Sequence, residues 1–213
     1  MKFLAVIIAS LVLWAGIAAA QNITVTTTVV GTTGPWNAGG DTYVNSAYEY
    51  DPFESDFTAP VVISGANGFR FSVGDSLTIS YMSGLVSVGP GSGWPYVDAN
   101  GDTSANASGY VTPPSVYMKP ALGPYYISEL VGTVAGSSGQ IVGTPFAIGD
   151  LGTFTVPAGA TQLQLGVNDT LYRDNWGSWN IQITGPVTLP EPTTMALVLM
   201  SLVGFGFVVR RKQ

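Results

Sequence analysis

"TQLQLGVNDTLYRDNWGSWNIQIT", residues 161–184, is the stretch on which the reading of the chain turns. Its first part, Thr161-Gln162-Leu163-Gln164-Leu165-Gly166-Val167, alternates polar and apolar residues, and so does its last, Trp179-Asn180-Ile181-Gln182-Ile183-Thr184. A strand points successive side chains to opposite faces, so this pattern predicts two half-buried strands. Between them lie Asn168, Asp169, Asp174 and Asn175, more oxygen donors than a hairpin turn requires.

Similar segments recur on both sides. Strands are expected over Ile23–Val30, Pro60–Ser64, Phe69–Val73, Leu77–Met82, Leu130–Ala135, Gln140–Phe146 and Gly152–Val156 as well as over Thr161–Val167 and Trp179–Thr184. The threonine-rich start, with Val25, Val29 and Val30, suits an edge strand. Glycine (27) and proline (14) punctuate the body into brief elements. No run in the body has a helical period, and no repeat of 20–50 residues marks a solenoid or propeller. The class is all-β, a sandwich or barrel. The long gap over residues 89–124, rich in Gly, Pro, Asp and Asn, has the length of a binding loop or of a disordered segment.

The two ends read differently. Lys2, the apolar run Phe3–Ala15 and Ala18-Ala19-Ala20 follow the order of a secretory signal peptide over residues 1–20, with cleavage expected after Ala20. At the other end, Met195–Val209 is an uncharged apolar run followed by Arg210-Arg211-Lys212. As a helix it would reach roughly 22 Å, short of a ~30 Å hydrocarbon core unless flanking residues assist. The basic end would hold this transmembrane tail on the cytoplasmic side. Pro190-Glu191-Pro192, the apolar run 195–209 and the basic end 210–212, in that order, resemble the PEP-CTERM sorting signal of exopolysaccharide-making Gram-negative bacteria. The resemblance implies that residues 187–213 are a sorting segment recognised by exosortase, a membrane transpeptidase. The chain would be anchored in the inner membrane first and then reach the cell surface or extracellular matrix.

The intervening body, residues 21–186, is one expected domain. Residues 21–189 carry three basic residues against twelve acidic ones, a balance of −9. Such a surface attracts cations and offers no basic patch for phosphates, so nucleic acid is not an expected partner. Histidine and cysteine are absent, which removes the usual general base, structural zinc and thiol nucleophiles. Carboxylate pairs remain for catalysis, as in glycoside hydrolysis. The densest acidic stretch, Tyr48-Glu49-Tyr50-Asp51-Pro52-Phe53-Glu54-Ser55-Asp56, also reads as a solvated loop. The expectation is a protein that is not an enzyme.

Calcium takes six to eight hard oxygens from carboxylates, amide side chains and backbone carbonyls. Asp169, Asp174 and Asn175 supply such oxygens across one expected hairpin, with carbonyls near Leu171 and Tyr172. Equally, the Asx side chains of a hairpin can serve only to satisfy backbone amides.

Residues from about 60 to 185 resemble the calcium-dependent galactophilic lectins, a bacterial family with a galactose-binding-like β-sandwich of jelly-roll type. "VGDSLTISYMSGLVSVGP" (73–90) is similar to the family's early strand and turn, and "GVNDTLYRDNWGSWNIQI" (166–183) to its calcium loop. The resemblance implies calcium ligands at Asp169, Asp174 and Asn175, with backbone carbonyls from Val88 and from Leu171 or Tyr172. In that family adjacent sugar hydroxyls complete the ion's coordination. A neighbouring loop adds specificity through a histidine and a glutamine, and near Asp102 the aligned places hold Ala105 and Ser108. Trp94, in Gly93-Trp94-Pro95, offers an aromatic face for a sugar. The expected function is calcium-dependent, lectin-like binding of carbohydrate or exopolysaccharide. The rivals are a structural matrix protein with a calcium-stiffened loop and a glycoside hydrolase using residues 49–56 with Asp98 or Asp102.

Overall fold

The alternating segments form strands because each carries an apolar face that only burial satisfies. A computed structural model describes residues 21–36, 58–104, 125–169 and 171–187. Asn22–Pro186 forms one compact unit, and the other unit, Met1–Gln21 with Val187–Gln213, lies almost wholly outside the described residues. The strands are β1 (Asn22–Val30), β2 (Val61–Ser64), β3 (Ser76–Ser87), β4 (Leu130–Ala135), β5 (Phe146–Ala147), β6 (Leu151–Thr155), β7 (Gln162–Val167) and β8 (Trp176–Pro186). They make two antiparallel four-stranded sheets, ordered β1-β8-β3-β6 and β2-β7-β4-β5. Among the described residues the only helices are short 3-10 turns, and none is long and apolar enough to cross a membrane. The expected signal peptide, with Ala20, and the apolar run 195–209 lie outside those residues.

Both sheets contribute to one core, the arrangement of a β-sandwich. From the first come Val29, Leu77, Ile79, Trp179, Ile181 and Ile183; from the second come Ile63, Leu130, Val134, Leu163, Leu165 and Val167. The alternation of Trp179, Ile181 and Ile183 puts all three inward, each fully buried. Burial of such a side chain is worth about 1.5–3 kcal/mol. β1 is the edge strand that its valines and threonines imply.

The structure corrects four readings. First, β7 and β8 do not form a hairpin: they belong to different sheets, so residues 168–175 cross from one sheet to the other. Period-two patterning shows which face is buried but not which strand lies alongside. Second, Phe69–Val73 is not a strand. Asp75 accepts the Ser72 N–H at 2.9 Å and pairs with Arg70 at 2.7 Å, folding the segment into a turn. The same Arg70 contact holds the Asp75 carboxyl below its ordinary value. Third, Gln140–Phe146 does not pair along its length: Gly143 and Pro145 interrupt it, Ile141 makes one isolated bridge to Ala135, and the strand begins at Phe146. Fourth, Gln164 is fully buried rather than half-exposed. Its side chain accepts from Thr133 Oγ1 at 3.2 Å and donates to the Gly139 carbonyl at 3.3 Å, so a polar residue is satisfied inside.

β3 and β8 approach closely where Gly84 and Gly177 adopt φ of 101° and 87°. A Cβ at Gly84 would collide with the Ser178 carbonyl, and one at Gly177 with that of Leu85. Glycine at both places permits the contact. Just beyond, Val86 and Val97 exchange backbone hydrogen bonds of 3.0 and 2.8 Å, and the Trp179 indole donates to the Val97 carbonyl at 3.2 Å. The loop after β3 is thereby fastened to the core.

Replacing Ile181 by Asp strands a carboxylate in this core, and we expect a loss of at least about 4 kcal/mol, against about 1 kcal/mol for Ile181→Val. Tryptophan-monitored melting of the full chain in a non-glycosidic detergent measures both. A Tm for Ile181→Asp within a degree or two of wild type contradicts the inward placement of β8.

Candidate functional site

The crossing segment begins where β7 ends. Asn168 is fully buried and wholly engaged: its N–H donates to the Glu129 carbonyl at 2.9 Å, its carbonyl accepts from Ser128 at 3.0 Å, and its Nδ2 donates to the Tyr126 carbonyl at 2.9 Å. Asn168 therefore anchors residues 126–129. Asp169 follows, 4% exposed, with Oδ2 shielded from solvent. After Leu171, residues Tyr172–Asp174 form a 3-10 turn closed by Asn175 N–H on the Tyr172 carbonyl at 3.1 Å. The Tyr172 ring is buried and its hydroxyl donates to the Val167 carbonyl at 2.8 Å.

Asn175 is 6% exposed and donates through Nδ2 to the Gly31 carbonyl at 2.8 Å. That bond fixes the amide, and its Oδ1 is buried and accepts no hydrogen bond. Asp174 Oδ1, on the preceding residue, is likewise buried and accepts none. An unsatisfied buried acceptor costs about 1–3 kcal/mol, and more when it is charged. A cation bound by such an oxygen would remove that cost.

A second segment approaches the same place. A Cβ at Gly89 would lie 3.2 Å from Asp174 Oδ2 and 3.2 Å from Trp94 Cδ1. The backbone at Val88–Gly89, the Asp174 carboxylate and the Trp94 ring are therefore neighbours, although Asp174 is far along the chain from the other two. Trp94 is held by its own backbone: its carbonyl accepts from Ser87 Oγ at 2.9 Å and its N–H donates to Gly89 at 3.2 Å. Carboxylate and amide oxygens are the donor types that a hard divalent cation takes. Among the described residues no group of three or more His, Cys, Asp or Glu converges, so a cation here relies on amide and carbonyl oxygens as well. Of the carbonyl candidates, Tyr172 already accepts within the turn. Leu171, half-buried at the start of that turn, is the less committed of the two.

Other expected residues fall elsewhere. Asp102 is buried and accepts from Ser104 N–H at 2.9 Å and Oγ at 2.6 Å, which gives it a turn-closing role. Ser108, Ala105 and the acidic stretch 48–56 lie outside the described residues. Asp98 accepts from the Asn100 N–H at 3.0 Å.

Two residues escaped the sequence reading. Trp176 follows Asn175 directly and is 64% exposed. Its signal was present, because residues 176 and 179 have opposite parity on a strand and Trp179 faces inward. Glu129 is the other. It is 7% exposed, accepts the Tyr126 N–H at 2.8 Å, and lines a cavity of about 540 Å³. Burial pushes its carboxyl up to about 7, the Tyr126 hydrogen bond only partly opposing the shift.

In comparisons with known proteins, residues 188–212 match the family model of the PEP-CTERM protein-sorting motif. The match includes Pro190, Glu191 and Pro192 and the basic residues Arg210, Arg211 and Lys212. No curated protein and no solved structure matches the chain. The motif indicates export, processing by exosortase and membrane anchoring before that processing.

The raised carboxyl has a stability consequence of definite sign. Glu129 binds its proton more tightly in the folded chain than at the ordinary value of 4.5. Its contribution is therefore complete below about pH 4.5 and lost as pH rises through about 7, by roughly 3 kcal/mol. Glu129→Gln removes the titration. Urea unfolding from pH 4.5 to 8 should show wild type falling relative to the variant across this window, whereas parallel curves refute the buried, protonated carboxyl.

Proposed function

We propose that this exosortase-sorted, exported chain is a calcium-dependent carbohydrate-binding protein of the cell surface or exopolysaccharide matrix, with no catalytic step of its own. The observation that carries the reading is that Asp174 Oδ1 and Asn175 Oδ1, on successive residues, are buried and accept no hydrogen bond, while Asp174 Oδ2 lies close to Gly89. Asp174 and Asn175 would hold the ion, with Asp169 and the Val88 and Leu171 carbonyls completing the protein's share. Calcium held there would supply a Lewis-acidic centre for the vicinal hydroxyls of a sugar.

The chain's own residues supply the rest. Asn175 is oriented by Gly31, so its oxygen is directed without a further side-chain search. Trp94 stands beside Asp174, and Trp176 is exposed next to Asn175. Aromatic faces of this kind pack against the apolar C–H surface of a sugar ring. The resemblance of residues 60–185 to the calcium-dependent galactophilic lectins, with their galactose-binding-like fold, supports the same ligand class. Neither Ala105 nor Ser108 reproduces that family's specificity pair, so galactose itself is not proposed.

A second reading has its own support. The Asn175–Gly31 bond and the buried Tyr172 hydroxyl already tie the crossing segment to both sheets. A calcium ion there would then stiffen a structural matrix protein without exposing coordination positions.

Three outcomes are expected. Calcium at a hundred times its dissociation constant should stabilise the chain by about 2.7 kcal/mol, read as a rise in Tm. Asp169→Asn should weaken calcium and glycan binding together on calorimetry and glycan arrays, while Val88→Ala changes little because the proposed ligand is a backbone oxygen. An Asp169→Asn chain that binds calcium like wild type overturns the loop's role. Mass spectrometry of the secreted protein should also show loss of the residues beyond Pro192, and secreted chains ending in Lys212-Gln213 contradict exosortase processing.

A further inference from the structure

The cavity around Glu129 is lined by none of the calcium-loop residues. Its wall comes from Leu85 at the end of β3, from Tyr96, Asp98, Asn100 and Thr103, and from Tyr126 beside Glu129. This is a held arrangement. The Leu130 N–H donates to the Ala99 carbonyl at 2.9 Å, and Asp102 N–H to the Ile127 carbonyl at 2.9 Å, so the two loops are laced together. Gly101, at φ 75°, lies so close to the second loop that a Cβ would come within 2.7 Å of the Ile127 carbonyl and 2.9 Å of the Glu129 nitrogen. Asn100 Oδ1 accepts the Asp150 N–H at 3.1 Å, which fastens the rim from another side. Ser128, next to Glu129, is the one described non-glycine residue at positive φ, 62°, and is 1% exposed. A serine kept in that conformation inside the protein is backbone strain retained beside a cavity, the usual location of such strain.

The lining combines two chemistries. Leu85 and Tyr96 are about half exposed, 48% and 49%, and present apolar and aromatic surface. The lining also includes Glu129, Asp98, Asn100 and Thr103, and among the described lining residues there is no lysine or arginine. An anionic ligand has nothing to pair with among them. A simple cation has no need of the Leu85–Tyr96 face. A neutral sugar ring has both an apolar C–H face and a rim of hydroxyl donors, and a volume of about 540 Å³ is within the range of small-ligand pockets.

We propose that this cavity is a second, calcium-independent saccharide site, in which a neutral hexose packs on Tyr96 and donates hydroxyl hydrogen bonds to Glu129 and its neighbours. The reading stands apart from the calcium loop and survives its failure. A carboxyl pushed up to about 7 is mostly protonated at pH 6 and suits this neutral ligand, since it then carries little charge for a cation. The site also gives the chain two attachment points on a polymer, so that binding to long glycans exceeds binding to short ones through linkage of the two events.

Saturation-transfer NMR tests the proposal on the full chain in a non-glycosidic detergent, at pH 6 with excess EDTA. The probes are lactose, maltose and cellobiose, with spermidine as a cationic control. At least one disaccharide should receive saturation in EDTA, and Tyr96→Ala should weaken its binding at least fivefold while calcium affinity is unchanged. Glu129→Ala should do the same if it folds, and Tyr96→Ala, altering a half-exposed ring, keeps the test open if it does not. No transfer to any disaccharide, equal transfer in Tyr96→Ala, or tighter binding of spermidine than of every disaccharide each overturns the proposal. Loop variants that bind calcium like wild type, with the EDTA signal intact, condemn the other site alone.

Discussion

Val167 and Trp176 end and begin strands of different sheets, and eight residues must carry the chain between them. That crossing is the constraint on which the rest depends. A connection over the end of a sandwich buries backbone and side-chain polar groups, and each needs a partner. Asn168 meets the need on one side by taking up residues 126–129, and Asn175 meets it on the other by donating to Gly31. The first set of bonds shapes the cavity wall around Glu129. The second fixes the amide of Asn175, the residue after Asp174. Both candidate sites are thus consequences of one topological step.

The balance of energies separates structural from functional polar groups in this segment. Asn168 and Tyr172 carry hydrogen bonds that keep the crossing in place. Asp174 Oδ1 and Asn175 Oδ1 are buried without an accepted hydrogen bond, at a cost that stability alone would select against. A bound cation, as proposed, would account for acceptors left in this state. The acidic balance of the body, −9 over residues 21–189, raises the local concentration of such ions before any contact is made.

Much of this was legible in the chain. The parity of Leu163, Leu165 and Val167, and of Trp179, Ile181 and Ile183, gave the buried faces correctly because a strand's period is a local property. The sorting motif was equally legible, since its parts are contiguous. What stayed hidden depends on residues distant in sequence. The partner of Asn175 is Gly31, 144 positions away, and that of Asn168 is Tyr126, 42 away. For the same reason the expected hairpin is a crossing, and the burial of Glu129 depends on Gly101 and Asn168, which hold its loop. Gln164 reads as an outward residue by parity, and only the chain at Gly139 shows why it is buried.

The most direct test of the central claim uses terbium as a luminescent substitute for calcium. Tryptophan sensitises terbium only over a short range, and the account places Trp94 and Trp176 beside the oxygens of Asp174 and Asn175. Excitation of tryptophan in the full chain should give sensitised terbium emission that calcium displaces, magnesium displaces far less, and Asp174→Ala abolishes. Absence of sensitised emission, or emission unchanged in Asp174→Ala, would contradict a cation site in the crossing segment.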